Sequence, residues 1–190
     1  MLLIPRAPAR LVLPIERFWN GAPCPHAHLH GRVELAVQGH GLELVASLPH
    51  QPAPRIPAAP RGARVADLWE YDVVECFLAG AGGRYLEVEL GAGGHFLVLS
   101  FSAPRVRSDS HETLRPALDF ASDARGWRAR LVLKWRLVPP GLEALNAFVS
   151  AGGAHLAYAP LPGSAPDFHQ PRHFPRAALD HPPRLADARE

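Results

Sequence analysis

Three glutamates, Glu75, Glu87 and Glu89, stand at alternating positions in two short runs, VVECFL and YLEVEL, separated by a glycine-rich stretch. Alternate side chains of an extended chain share a face. If each run is a strand and AGAGG (79–83) turns between them, all three carboxylates meet on one side. That register sets Cys76 opposite Leu86, Val74 opposite Val88 and Leu78 opposite Arg84. On the other face Phe77 meets Tyr85, Glu75 meets Glu87 and Val73 meets Glu89. Like charges directly opposite are destabilising in a sheet, so the face needs compensation. Two readings are open. Arg128, Arg130 and Lys134, on one face of a later strand, balance the carboxylates as a salt-bridge ladder. Alternatively the face is the floor of a binding site, where enclosure raises at least one carboxyl pKa. A carboxylate pair is also what a glycosidase uses, but nothing else in the chain supports turnover.

The loop Cys24-Pro25-His26-Ala27-His28-Leu29-His30 is the sharpest local anomaly. If it is extended, Cys24, His26, His28 and His30 project to one side about 6.6–6.8 Å apart. Thiolate with imidazole suits zinc. With 11 histidines in the chain, the competing reading is a solvated His-rich loop, and no second ligand group stands at a zinc-finger spacing. Asp167-Phe168-His169, in a proline-bounded turn, either fixes the tail against the sheet or lines the mouth of a pocket, and Asn146 is a weaker candidate of the same kind. Ser108-Asp109-Ser110-His111-Glu112 is a polar loop, and no G-x-S-x-G elbow exists to make a nucleophile of a serine. GAGG (91–94) joins strand to strand, so it is not a dinucleotide fingerprint.

The elements that would position these residues are strands. RLVLPIE (10–16) reads as an edge strand, because Pro14 cannot donate to a ladder. VELAVQ (33–38) and LELVASLP (42–49) flank a short Gly39-His40-Gly41 turn. Prolines 49, 52, 54, 57 and 60 make residues 49–66 a loop. Three strands then fill Asp67–Phe101, the second turn, GAGG, setting Val88 against Leu97 and Leu86 against Leu99. Residues 102–116 are polar and proline-punctuated. RARLVLKWRLV (128–138) alternates, with Ala129, Leu131, Leu133 and Trp135 on one face. PPGLEALNAFVS (139–150) is the only stretch with helical promise, two or three turns at most. HLAYAPL (155–161) is one more strand. About eight strands with short turns predict one antiparallel β-sandwich domain over 1–190, with about ten residues at each end extended or frayed. The strands alternate, as expected when one face of each sheet meets water.

Composition narrows the function classes. The chain has 190 residues, 47% of them hydrophobic, and a net charge of +2 with no basic stripe. Nucleic acid is therefore not an expected partner. Two cysteines, Cys24 and Cys76, make no disulfide framework, and Cys76 falls on the aliphatic face. The apolar N-terminus is broken by Pro5, Pro8, Pro14 and three arginines, so it does not read as a signal peptide. No apolar run reaches transmembrane length. A cytoplasmic location and no membrane partner are expected.

In combination, LWEYDVVECFL, GRYLEVELGAGGHF, GWRARLVL and LAYAPLPGSAPDFHQPRHF resemble the DOMON-like group related to family 9 carbohydrate-binding modules. Within that group the likeness is to small bacterial proteins, and it covers about residues 30–180. The resemblance implies a jelly-roll type β-sandwich with a ligand pocket on one sheet. In sugar-binding members a sugar lies between aromatic faces. That makes Trp69, Trp127 and Trp135 candidate platforms, with hydrogen bonds from Glu75, Glu87, Glu89, Asp167 and His169. Other members hold haem through a Met ligand. The only methionine here is Met1, so haem is not expected. The expected function is a non-catalytic module for a carbohydrate or similar polyhydroxy ligand. The alternatives are a metal-dependent or carboxylate-pair hydrolase and a protein-interaction module that docks through the proline loop and tail. No cofactor is expected, zinc and calcium being the ions considered. The oligomeric state stays open.

Overall fold

The computed structural model describes residues 1–180, and the expected fraying of the last ten residues lies outside them. Strands β1 (Leu2–Ile4), β2 (Leu11–Ile15) and β3 (Arg17–Phe18) precede a hairpin of β4 (Gly31–Gln38) and β5 (Gly41–Pro49). A meander follows, made of β6 (Val73–Ala79), β7 (Tyr85–Gly91), β8 (Phe96–Ala103) and β9 (Val106–Asp109). Then come the hairpin of β10 (Asp119–Asp123) and β11 (Gly126–Lys134), and finally β12 (Ala144–Ala151), β13 (Ala154–Ala157) and β14 (Ala177–Leu179). Two antiparallel sheets result, a five-stranded one ordered β10-β11-β5-β4-β2 and a seven-stranded one ordered β3-β13-β12-β6-β7-β8-β9. The N-terminal residues are tied down rather than frayed, because β1 pairs with β14 in a small parallel ribbon. Among the described residues the helical segments are three-residue 3₁₀ turns, and no helix is long and apolar enough to cross a membrane.

The core lies between the sheets. Val33, Leu35, Leu42, Leu44, Ala129 and Leu131 of the smaller sheet meet Val74, Cys76, Leu86, Val88, Leu145 and Ala147 of the larger one. The outer face of the five-stranded sheet is largely polar and reaches water, as its alternation predicts. The outer face of the seven-stranded sheet does not. Phe77, Tyr85, Leu97, Leu99, Phe101 and Phe148 form a second apolar cluster there, closed over by Leu161, Phe174 and Phe168 from the chain after β13. Sheet, sheet and a covering loop layer therefore make three levels, and β6, β7 and β12 are buried on both faces.

Three expectations are corrected. The first hairpin turns through Gly80–Arg84, whose ends are joined by the Gly80 N–H to the Arg84 carbonyl. Cys76 accordingly faces Val88, Phe77 faces Glu87 and Glu75 faces Glu89. This two-residue shift keeps every side chain on its expected face. The second turn is one residue longer than expected, with the Gly91 N–H bonded to the His95 carbonyl, so Val88 faces Val98 and Glu87 faces Leu99. A one-residue shift exchanges the faces, and Leu97 and Leu99 stand beside the glutamates instead of in the inter-sheet core. Residues 139–150 contain no helix. Ala144–Ala151 is a central strand of the larger sheet, buried on both sides, and such a run carries no clean period of either kind.

Candidate functional site

The outer face of the larger sheet gathers the site. β6 contributes Glu75 and β7 contributes Glu87 and Glu89, with Glu75 directly across from Glu89. One oxygen from each of the three carboxylates lies within 4.8 Å of the others. All three side chains are buried, Glu89 completely. β12 places Ser150 beside them, and its hydroxyl donates to Glu75 Oε1 at 3.0 Å. No donor from outside the trio reaches Glu87 Oε2 or either oxygen of Glu89.

Loops complete the walls. The turn Pro166–His169 crosses the sheet, and Phe168 stacks on Phe148 with ring centroids 4.0 Å apart. Tyr85, on the outer face of β7, accepts the Arg105 backbone N–H at 2.9 Å and bonds His169 Nδ1 at 2.8 Å. His169 Nε2 thereby stands 4.0 Å from Glu87 Oε2. The Arg105 guanidinium donates to Asp167 Oδ1 at 2.8 Å, which also accepts the His169 backbone N–H. Trp69 rides on the 3₁₀ turn Leu68–Glu70, is 37% exposed, and has the Arg107 guanidinium over its ring. Between these groups lies a cavity of about 680 Å³, with Glu75 and Glu87 in its wall beside Trp69, Phe101, Phe168 and His169.

Burial governs the charges. Burial, then the neighbouring Glu87 charge, pushes the Glu75 carboxyl up to about 8, against the Ser150 hydrogen bond. Burial also raises Glu87, to about 7, with Glu89, Arg107 and Arg105 pulling the other way. Glu89 is held well above its ordinary value by burial, then by the charges of Glu75 and Glu87 and by a carboxyl–carboxyl hydrogen bond with Glu87. His169 moves oppositely, down to about 4, through burial and then the nearby Arg105 charge. The site thus sets a neutral imidazole against carboxyls that resist ionising.

The expected arginine ladder is absent here, because β11 belongs to the other sheet. Arg128 and Lys134 are exposed on that sheet's outer face. Arg130 pairs with Glu43 and, at 2.8 Å, with Asp119. Of the three tryptophans named as platforms, only Trp69 reaches the cavity. Trp127 and Trp135 are buried in the inter-sheet core, the first against Phe120 and the second donating to the Gly39 carbonyl. Both stand inside because they continue the inward alternation of β11. Asp167 and His169 stand in the cavity wall. Asn146 does not. It is fully buried and clamps the Ala159 backbone, donating to its carbonyl and accepting its N–H, both at 3.0 Å.

Cys24, His26, His28 and His30 are not brought together as a ligand set. Ala27–Leu29 forms a 3₁₀ turn rather than an extended edge, the Cys24 thiol is buried, and His26 and His28 point to solvent. Among the described residues, Glu75, Glu87 and Glu89 form the group whose donor atoms converge as a metal would require. Sequence reasoning missed Ser150, His155, Phe168, Arg105 and Arg107 in the cavity wall. Ser150 was hidden by the helical reading of β12. The alternation of P-R-V-R with a following strand was the available signal for the arginines. A larger hollow of about 1160 Å³ lies between residues 107–117 and β11, but the unpartnered carboxylates are not in it, and perturbed groups mark a site better than volume does.

No family model matches the chain. Among solved structures, a candidate carbohydrate-binding protein from Bacteroides uniformis superposes over 95% of this chain and 98% of its own, with a TM-score of 0.70 and 14% identity. A family 9 carbohydrate-binding module from Caldicellulosiruptor kristjanssonii, in complex with cellotriose, covers 98% of this chain and 96% of its own, with a TM-score of 0.60 and 12% identity. Likeness at such identity is one of fold, and it agrees with the antiparallel sandwich read from the sequence. By sequence, the mouse UPF0462 protein C4orf33 homolog is 30% identical over 171 residues, 84% of this chain and 87% of the mouse protein. Its zebrafish counterpart is 27% identical over 175 residues, 84% of this chain and 85% of the fish protein. These relatives are vertebrate and lend no support to the bacterial assignment that the resemblance carried. At 30% identity to the mouse protein across most of both chains, this chain belongs to the UPF0462 family.

Proposed function

We propose that the protein is a non-catalytic binding module for a carbohydrate or similar polyhydroxy small molecule, taken up on the outer face of the seven-stranded sheet. One observation carries the reading. Buried carboxylates with free acceptor capacity and a half-exposed tryptophan wall the same cavity. A carboxylate accepts from two hydroxyls at once, and an aromatic ring covers the apolar face of a sugar. Trp69 and Phe168 supply the rings, Glu75, Glu87 and Asp167 the acceptors, and Arg105 and Arg107 the donors at the mouth. About 680 Å³ suits a small ligand. The fold shared with a module in complex with cellotriose supports the same class of ligand.

Binding is favoured over hydrolysis by the placement of the acids. A glycosidase sets two carboxyl groups on either side of the scissile bond, roughly 5–9.5 Å apart. Here three acids crowd together on one sheet face, one oxygen of each within 4.8 Å of the others, and Asp167 is engaged by Arg105. Calorimetric titration with glucose, cellotriose and a panel of other neutral sugars tests the proposal. Saturable binding is expected, weakened at least about tenfold, or about 1.4 kcal/mol, by Trp69→Ala. Absence of binding across the panel at millimolar sugar, with tryptophan emission unchanged, would overturn it.

A further inference from the structure

We infer that Glu75, Glu87 and Glu89 bind a hard divalent cation, with the open side of the ion facing the cavity. This stands apart from the sugar reading, since the ion's protein ligands are complete without a sugar.

Three observations converge. The first is geometric. Oxygen ligands of one ion, each at about 2.0–2.6 Å, must lie within about 5 Å of one another, and one oxygen from each glutamate meets that condition at 4.8 Å or less. The second is the state of Glu89. It is fully buried, and neither of its oxygens has a donor from outside the trio. A buried carboxylate without a partner is costly in a folded protein, and this one has two other carboxylates as its polar neighbours. Glu43 shows what the same fold does with a buried glutamate that is purely structural. Arg10 and Arg130 form ion pairs with it and Gln38 donates to it. The third is the surroundings. Ser150 holds Glu75 from behind, as partners of metal ligands commonly do. Tyr85 engages Nδ1 of His169 and leaves Nε2 turned toward Glu87, so an imidazole nitrogen stands at the cavity side of the trio.

The donor set selects the ion class. Three carboxylates with an imidazole nearby suit calcium or manganese. The one thiol on these strands, Cys76, lies on the opposite face in the inter-sheet core, so no soft ligand is offered. Glu75 and Glu87 reach the cavity whereas Glu89 lies behind them. An ion held by the trio therefore keeps positions for water, or for oxygens of a cavity ligand, on one side only.

The test uses the metal alone. Protein stripped with a chelator is titrated calorimetrically with Mn²⁺, Ca²⁺ and Zn²⁺ at pH 8, with no sugar present. One equivalent of Mn²⁺ or Ca²⁺ is expected to bind, with a rise in melting temperature. Glu89→Gln, which keeps the shape and removes the charge, is expected to weaken this more than about 100-fold. Ser150→Ala acts one shell out and is expected to weaken it about 10–100-fold. His28→Ala is expected to leave it unchanged. Failure of Mn²⁺ and Ca²⁺ to bind at millimolar concentration overturns the inference. So does binding that survives Glu89→Gln, or zinc binding that is lost in His28→Ala and kept in Glu89→Gln. Sugar binding without cation binding would sink this inference and leave the module reading standing, and the converse result would do the opposite.

Discussion

Glu43 and Glu89 are one residue type in two different predicaments. Both are buried in sheet faces. Burial alone would raise the Glu43 carboxyl, yet hydrogen bonds from Arg130 and Gln38, with the Arg10 charge, hold it below its ordinary value. Glu89 has burial and two like charges acting in the same direction. Substitutions should therefore act with opposite signs. Arg130→Ala strips one partner from a buried carboxylate while Arg10 and Gln38 remain. Urea denaturation at pH 7 should show a loss of about 1–3 kcal/mol. Glu89→Gln removes an acid that burial and two neighbouring carboxylates keep from ionising, and in chelator-treated protein at pH 8, where the unfolded chain would release that proton, it should raise stability. A destabilised Glu89→Gln protein would mean that the carboxylate has a partner in the folded state.

At the scale of elements, the sheets carry the site and their registers decide its composition. The alternation of β6 and β7 was enough to place Glu75, Glu87 and Glu89 on one face, because a hairpin loop misjudged by two residues preserves parity. The same reading put Leu97 and Leu99 on the wrong side, since the turn before β8 was misjudged by one, and a glycine run does not announce its own length. β12 was illegible for another reason. Leu145, Ala147 and Val149 face one core while Ala144 and Phe148 face another, with Asn146 and Ser150 buried among them, so no solvent face remained to set the period. That error hid Ser150 and gave Asn146 the wrong role. The resemblance pointed to Trp69 and the Asp167–His169 turn, but it could not separate Trp69 from two core tryptophans, which differ in burial rather than in type. Asn146 is a positioning residue for the layer that closes the site, through its paired bonds to Ala159. Asn146→Ala leaves both Ala159 groups unpaired and should cost about 1–3 kcal/mol in chemical denaturation. A neutral outcome would mean that the covering loop is held by its apolar contacts alone.

The whole molecule reports the site through its pH dependence. Glu75 and Glu87, raised to about 8 and about 7 from an ordinary 4.5, bind protons in the folded state that the unfolded chain releases. Their contribution is full below about pH 4.5 and is lost as pH rises through 7 to 8. His169, lowered to about 4, works in the other sense, as do His155 and His111. The histidine contributions are lost as pH falls below about 6.5, their ordinary value. Between about pH 7.5 and 8.5 the histidine terms are therefore nearly constant, and the raised carboxyls, joined near the upper end by the buried Cys76 thiol, all act in one sense. The melting temperature of chelator-treated protein should fall across that interval, with a shallower slope in Glu89→Gln. A rising melting temperature would contradict the burial and mutual repulsion on which the account rests. The central claim, that the outer face of the seven-stranded sheet is where this protein takes its ligand, is tested most directly by a crystal structure of the protein grown with a sugar that binds it in titration. The account predicts a sugar between Trp69 and Phe168, its hydroxyls on Glu75 and Glu87. A sugar found instead in the larger hollow between residues 107–117 and β11, with the Glu75–Glu87 cavity filled only by water, would contradict it.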